Sequence, residues 1–166
     1  MRITHYTKPF HINKILATNE LKLEGCNFDL AYQALYFKER ANIKFLWFTQ
    51  SECCYTAKPL LINRETLSYE FVKINQIGFN FDSNEIGAVK WCDWYKPQLI
   101  FNKKRKIINE LNSLALERGD NPQDYWIVKT PISLNKCLSV TVRYPNGSNK
   151  NLKLENLYQI KDFYNF

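Results

Sequence analysis

The alternation of apolar and polar positions begins at once. Within residues 2–7, Ile3, His5 and Thr7 fall on one face and Thr4 and Tyr6 on the other, which predicts a short strand. Lys8-Pro9 then opens a helix, because proline suits a first helical turn, and Ile12, Ile15 and Leu16 share one side of it. Asn19 stands where a left-handed cap is expected. Residues 21–23 read as a second short strand, broken by Gly25. Residues 27–42 fit either a short helix on Leu30, Ala34 and Leu35 or a surface loop. Residues 43–49 are dense in aromatic and branched side chains and predict a central strand. Ser51 suits the cap of a helical turn containing Glu52 and Tyr55, and residues 68–74 alternate as a further strand.

Residues 84–102 give no clean element. The helical period returns over 103–118, where Ile107, Ile108, Leu111, Leu114 and Ala115 share a face, Gly119 caps the end and Pro122 blocks continuation. Residues 124–128 and 137–143 read as strands. The turn signal Pro145-Asn146-Gly147-Ser148 makes 137–154 a hairpin, and the alternating tail suits a sheet edge. The order predicts one α+β domain over residues 1–166, with two principal helices and strands paired mainly antiparallel.

Composition narrows the function classes. The 166 residues are 45% apolar and 15% aromatic, enough for a core and too much for disorder. The five glycines stand too far apart for a dinucleotide-binding or P-loop phosphate cradle. No apolar run approaches a membrane span and no signal-peptide pattern opens the chain, so a cytoplasmic protein without a membrane partner is expected. The five cysteines form no C-x-x-C pair and are odd in number, which predicts free thiols. With only two histidines to help adjacent Cys53 and Cys54, no metal site is expected.

Few residues can carry chemistry. His5 and His11 are the only imidazoles; a strand histidine such as His5 is either a satisfied structural residue or a ligand-binding one. Trp47-Phe48-Thr49 ends a strand just before Glu52 and Tyr55, which reads as core and cap or as the wall of a pocket. Asp124 begins an aromatic strand, as a turn residue or as a carboxylate at a cleft. Lys103, Lys104, Arg105 and Lys106 occupy a first helical turn, where each cation opposes the helix macrodipole by about a few tenths of a kcal/mol. A polyanion would offset that cost, and nearby Trp91, Trp94 and Tyr95 would offer stacking surfaces to a single strand; a solvated charged run is the plain alternative. The formal charge is +7, and residues 84–166 carry 13 basic against 8 acidic groups.

Together, His5-Tyr6-Thr7, the helix that follows, Leu46-Trp47-Phe48-Thr49 and Tyr55-Thr56-Ala57 resemble the ADP-ribosyltransferase-like families, which include bacterial DNA- and RNA-modifying toxins and RNA 2′-phosphotransferases. The run Glu117-Arg118-Gly119-Asp120-Asn121-Pro122-Gln123-Asp124-Tyr125 is similar to a block in a bacterial family that also carries His-Tyr-Thr and Trp-Phe-Ser/Thr. The resemblance implies a split, bent, mainly antiparallel β-core whose cleft holds NAD. It implies that His5 bonds a ribose with Tyr6 and Thr7 close by, that Trp47 and Thr49 line the nicotinamide pocket, and that Tyr55 stacks there. The acid that steadies the anomeric carbon would be Asp124, with Glu117 and Asp120 as near alternatives. These families usually place Glu in that motif, one methylene longer, and Gly where this chain has Asn19. The implied activity is transfer of ADP-ribose from NAD to a macromolecular acceptor: DNA, RNA or a protein. The alternatives are a non-enzymatic basic module that binds nucleic acid or a nucleoprotein through residues 103–106 and nearby aromatics, and a structural or inhibitory protein with a vestigial cleft; an antitoxin-like or nucleoprotein partner is the further expectation.

Overall fold

The computed structural model describes residues 1–7, 9–23, 45–50, 61–62, 69–70, 76–117, 119–144 and 148–157. Strand β1 (Arg2–Thr7) leads through a 3-10 turn at Pro9–His11 into helix α1 (Ile12–Thr18) and strand β2 (Glu20–Leu21). Strands β3 (Leu46–Thr49), β4 (Leu61–Ile62), β5 (Tyr69–Glu70), β6 (Gln76–Asp82) and β7 (Val89–Lys90) follow. Helix α2 (Trp91–Tyr95) and a 3-10 turn lead to α3 (Asn102–Glu117). The chain ends its described course with β8 (Tyr125–Val128), β9 (Ile132–Ser133), the hairpin of β10 (Ser139–Arg143) and β11 (Asn149–Leu152), and α4 (Leu154–Leu157).

The result is an α+β fold around a seven-stranded sheet of order β11-β10-β6-β1-β3-β8-β7, every neighbouring pair antiparallel. Two small antiparallel pairs, β2 with β9 and β4 with β5, stand apart from it. Among the described residues no helix is long and apolar enough to cross a membrane.

Both faces of the sheet are packed, because successive strand residues point to opposite sides. Leu46, Phe48 and Val128 join Ile3, Phe79, Val140 and residues of α1 and α4 in one core. Their neighbours Trp47, Tyr125 and Ile127 join Trp91 of α2 and Ile108, Leu111 and Ala115 of α3 in a second core on the other side. The three α3 residues fall at the helical spacing expected from the sequence.

On that second side, the half of the sheet away from α3 is polar. Thr4 Oγ1 donates to Asn80 Oδ1 at 2.7 Å, Asn80 Nδ2 donates to Thr141 Oγ1 at 3.0 Å, and Thr141 Oγ1 donates to Asn151 Oδ1 at 2.8 Å. One row of side chains thus crosses β1, β6, β10 and β11, and satisfaction of each group makes burial of Asn80, 1% exposed, tolerable.

The predicted strand at 43–49 is described from Leu46 and lies inside the sheet. Asn19 takes the left-handed conformation, φ 51°, with its N–H on the carbonyls of Ile15 and Leu16. Two stretches to which the sequence assigns no element acquire one. Strand β6, sheet-central between β1 and β10, is not marked by the local pattern, and residues 89–100 form β7, α2 and a 3-10 turn. The expected helix or loop at 27–42, the turn at 51–55, Gly25, and Cys26, Cys53 and Cys54 lie outside the described residues; Cys92 and Cys137 are free thiols.

Candidate functional site: a cavity where two strands part

Strand β1 pairs with β6 along its whole length, from Arg2↔Asp82 to Thr7↔Ile77. Against β3, on its other edge, the register among the described residues is the single pair Thr4↔Thr49. Beyond that pair the two strands diverge, and the His5 side chain spans the gap: its Nδ1 lies 2.8 Å from the Trp47 carbonyl oxygen. A carbonyl only accepts, so Nδ1 carries the proton, and in the neutral ring Nε2 is an acceptor. The imidazole is 8% exposed and packs on Phe48, ring centroids 5.6 Å apart.

A cavity of about 1050 Å³, its open mouth included, begins at this divergence. Its sheet wall comes from residues 4–7 of β1, residues 45–49 at β3, and Tyr125 of β8. The opposite wall is the stripe His11, Lys14, Ile15 and Thr18, spaced as one face of a helix. Glu20, Leu21 and Lys22 complete it where the left-handed turn at Asn19 sends the chain back. Trp47 stands between this cavity and the second core, its indole 4.8 Å from that of Trp91 and 6.0 Å from the Tyr125 ring.

No protein-family model, curated protein or solved structure matches the chain. The site therefore rests on its own residues. His5, Tyr6, Thr7, Trp47 and Thr49, singled out from sequence as cofactor-binding, all line the one cavity. Tyr55 lies outside the described residues.

The candidate acids fall elsewhere. Neither Asp124 nor Glu117 lines the cavity. Asp124 Oδ1 accepts from Gln50 Nε2 at 2.8 Å, one residue beyond the cavity-lining Tyr125, and Glu117 is exposed in the last turn of α3. Asp120 is buried and accepts from the Tyr125 hydroxyl at 2.8 Å, so it reaches the cavity through that ring. Among the described lining residues the carboxylate is Glu20, which the sequence reading passed over together with Lys14, Lys22 and Thr18. The helical spacing of His11, Lys14 and Thr18 was the available signal: a polar stripe beside Ile12, Ile15 and Leu16.

The basic run is partly visible. Arg105 and Lys106 are exposed, and Arg105 Nε donates to the Leu99 carbonyl at 2.7 Å; the side chains of Lys103 and Lys104 lie outside the description. Of the aromatic group beside it, Trp91 is a correction, while Trp94 and Tyr95 are half-buried. Trp91 is buried and stacks on Trp94 at 5.2 Å, with Tyr95 edge-on, so these rings pack the second core, and the Trp91 faces are not open to a base. Exposed apolar groups next to the run are instead Ile100, 74% exposed, and Phe101, 53%.

Proposed function

We propose that this chain is an ADP-ribosyltransferase-like domain that binds NAD in the cavity and transfers ADP-ribose to a macromolecular acceptor. The observation that carries the reading is the parting of β1 and β3 with the His5 imidazole set into the opening, which puts His5, Tyr6 and Thr7 of one strand and Trp47 and Thr49 of the other around one hollow. With Nδ1 committed to the Trp47 carbonyl, Nε2 of the neutral ring has the polarity to accept a ribose hydroxyl. Phe45, Trp47 and Tyr125 offer the nicotinamide an aromatic wall.

The chemistry asks little of proton transfer. The bond from nicotinamide nitrogen to the ribose anomeric carbon breaks, nicotinamide leaves with the electron pair, and the acceptor's nucleophile bonds the anomeric carbon and loses a proton to water. Positive charge grows on the ribose in the transition state, so a carboxylate fixed beside it accelerates the step. Glu20 takes this role in the proposal ahead of Asp124 and Glu117, because it lines the cavity and they do not.

The test is calorimetry and melting with NAD, followed by transfer of labelled ADP-ribose to DNA, RNA and protein pools. NAD at a hundred times its Kd is expected to stabilise the fold by about 2.7 kcal/mol. Glu20→Gln should lower transfer about 10²–10³-fold and leave NAD binding within a few-fold, while Asp124→Asn should stay near wild type. Absence of any NAD-dependent shift and of label transfer would overturn the reading.

A non-enzymatic nucleic-acid module is the second reading. The surface of Ile100 and Phe101 beside the exposed Arg105 and Lys106 favours it. It predicts oligonucleotide affinity that falls steeply with salt and is indifferent to NAD.

A further inference from the structure

Helix α3 turns one side to the second core and the other outward. Ile108, Leu111 and Ala115 are buried, and opposite them Arg105, Lys106, Asn109, Ser113, Leu116 and Glu117 are all exposed. At 3.6 residues per turn those six fall within about a third of the helix circumference, so they form one continuous outer face. Leu116 is 63% exposed on it, and Ile100 and Phe101 are exposed where the chain enters the helix.

The face is charged asymmetrically along its length, with cations at its N-terminal end and Glu117 at its C-terminal end. Arg105 and Glu117 stand twelve positions apart. At 1.5 Å per residue that is about 18 Å, so the two cannot meet within one helix. Arg105 Nε is committed to the Leu99 carbonyl at 2.7 Å. Neither Arg105 nor Glu117 forms an ion pair with another described residue. The run Lys103-Lys104-Arg105-Lys106 also lies at the positive end of its own helix macrodipole, an unfavourable place that the cavity does not explain.

We infer that the outer face of α3 is a two-fold docking surface for a second copy of this chain, with the two helices antiparallel. Centred between Asn109 and Ser113, this pairing sets Arg105 of each copy opposite Glu117 of the other, each contact made twice by symmetry. The short Asn109 and Ser113 side chains face one another at the centre and let the helices approach. The end carrying Ile100 and Phe101 meets the end of the other helix that carries Leu116, so apolar surface is covered at both ends. The basic first turn of each helix then lies beside the negative C-terminal end of the other, where cations are favoured. A nucleic-acid strand suits the cationic half of the face and meets a leucine and a carboxylate on the other half, whereas a second copy matches both. The net charge of +7 opposes self-association and one helix pair is a small contact, so the dimer is weak and concentration-dependent.

The experiment is sedimentation velocity of the full chain over a series from about 10 μM to about 1 mM, a range that brackets weak association constants. The proteins are wild type, Arg105→Glu, Glu117→Arg and the double variant. Wild type is expected to pass from monomer to dimer along the series. Either single change places like charges opposite one another and should weaken the dimer by about tenfold or more. The double variant exchanges the charges on both copies and should recover wild-type affinity to within a few-fold, which a merely structural role for either residue would not produce. Melting curves show that each variant folds. If Arg105→Glu melts early through loss of its bond to Leu99, Glu117→Arg and Leu116→Glu carry the test, each expected to weaken the dimer. A wild type that is monomeric at every concentration overturns the proposal, as does a dimer that all the single changes leave intact. A monomer that binds an oligonucleotide, with affinity lost in Arg105→Glu, overturns it in favour of nucleic acid on this face.

Discussion

Gly78 shows how tightly single positions are specified. A Cβ at that point of β6 would sit 2.7 Å from Thr4 Cγ2 and 2.8 Å from Tyr6 Cε1. Thr4 cannot swing away without breaking its 2.7 Å bond to Asn80, and Tyr6 is covered by the Arg143 guanidinium, 5.1 Å from its ring centre. Gly78→Ala is expected to destabilise the fold by about 1–3 kcal/mol, read as a lower urea midpoint. The cavity residues explain what could be read in advance. His5, Tyr6, Thr7, Trp47 and Thr49 lie on strands with strong local signals, and one register pair brings them to the cavity. Glu20 gave no such signal, because its placement depends on a left-handed turn and on pairing with Ser133, more than a hundred residues away.

Helices and hairpins were legible where their ends are written locally. Helix α3 closes with the Gly119 N–H on the Leu116 carbonyl at 3.0 Å and the Asp120 N–H on Ala115 at 2.9 Å, the two bonds of a Schellman cap. Gly119 reaches φ 81° to make them, so Gly119→Ala should cost about 1 kcal/mol and shift the melting curve down by several degrees. The same cap places Asp120 beneath Tyr125, which ties the end of α3 to the cavity wall. Strand β6 was not legible. Its Ile77, Phe79 and Phe81 alternate correctly, but Gly78 and Asn80 between them are poor strand formers, and it is partners on both sides that hold them extended. Asn80 is favoured there by the polar row, a tertiary fact that no local window contains.

At the scale of the molecule, pH acts at the outer end of the sheet. The Met1 ammonium bonds Asp82 at 2.8 Å, and this bond, with the Asn84 N–H, holds the Asp82 carboxyl below its ordinary value of 3.8. A depressed carboxylate contributes stability that is complete above the unfolded value and lost as pH falls through the folded one. Wild type should therefore lose melting temperature below about pH 4, and Asp82→Asn should flatten that limb and leave neutral pH nearly unaffected. Larger in scale is the seam between β1 and β3. Bonded along its length to β6 and at one pair to β3, β1 ends one leaf of the sheet, β11-β10-β6-β1, while β3-β8-β7 forms the other. Among the described residues the two leaves are hinged at the pair Thr4 and Thr49, with His5 as the latch above it. Whatever fills the hollow touches both leaves at once and acts as a rivet, so amide exchange along the facing edges of β1 and β3 is the place to watch it arrive.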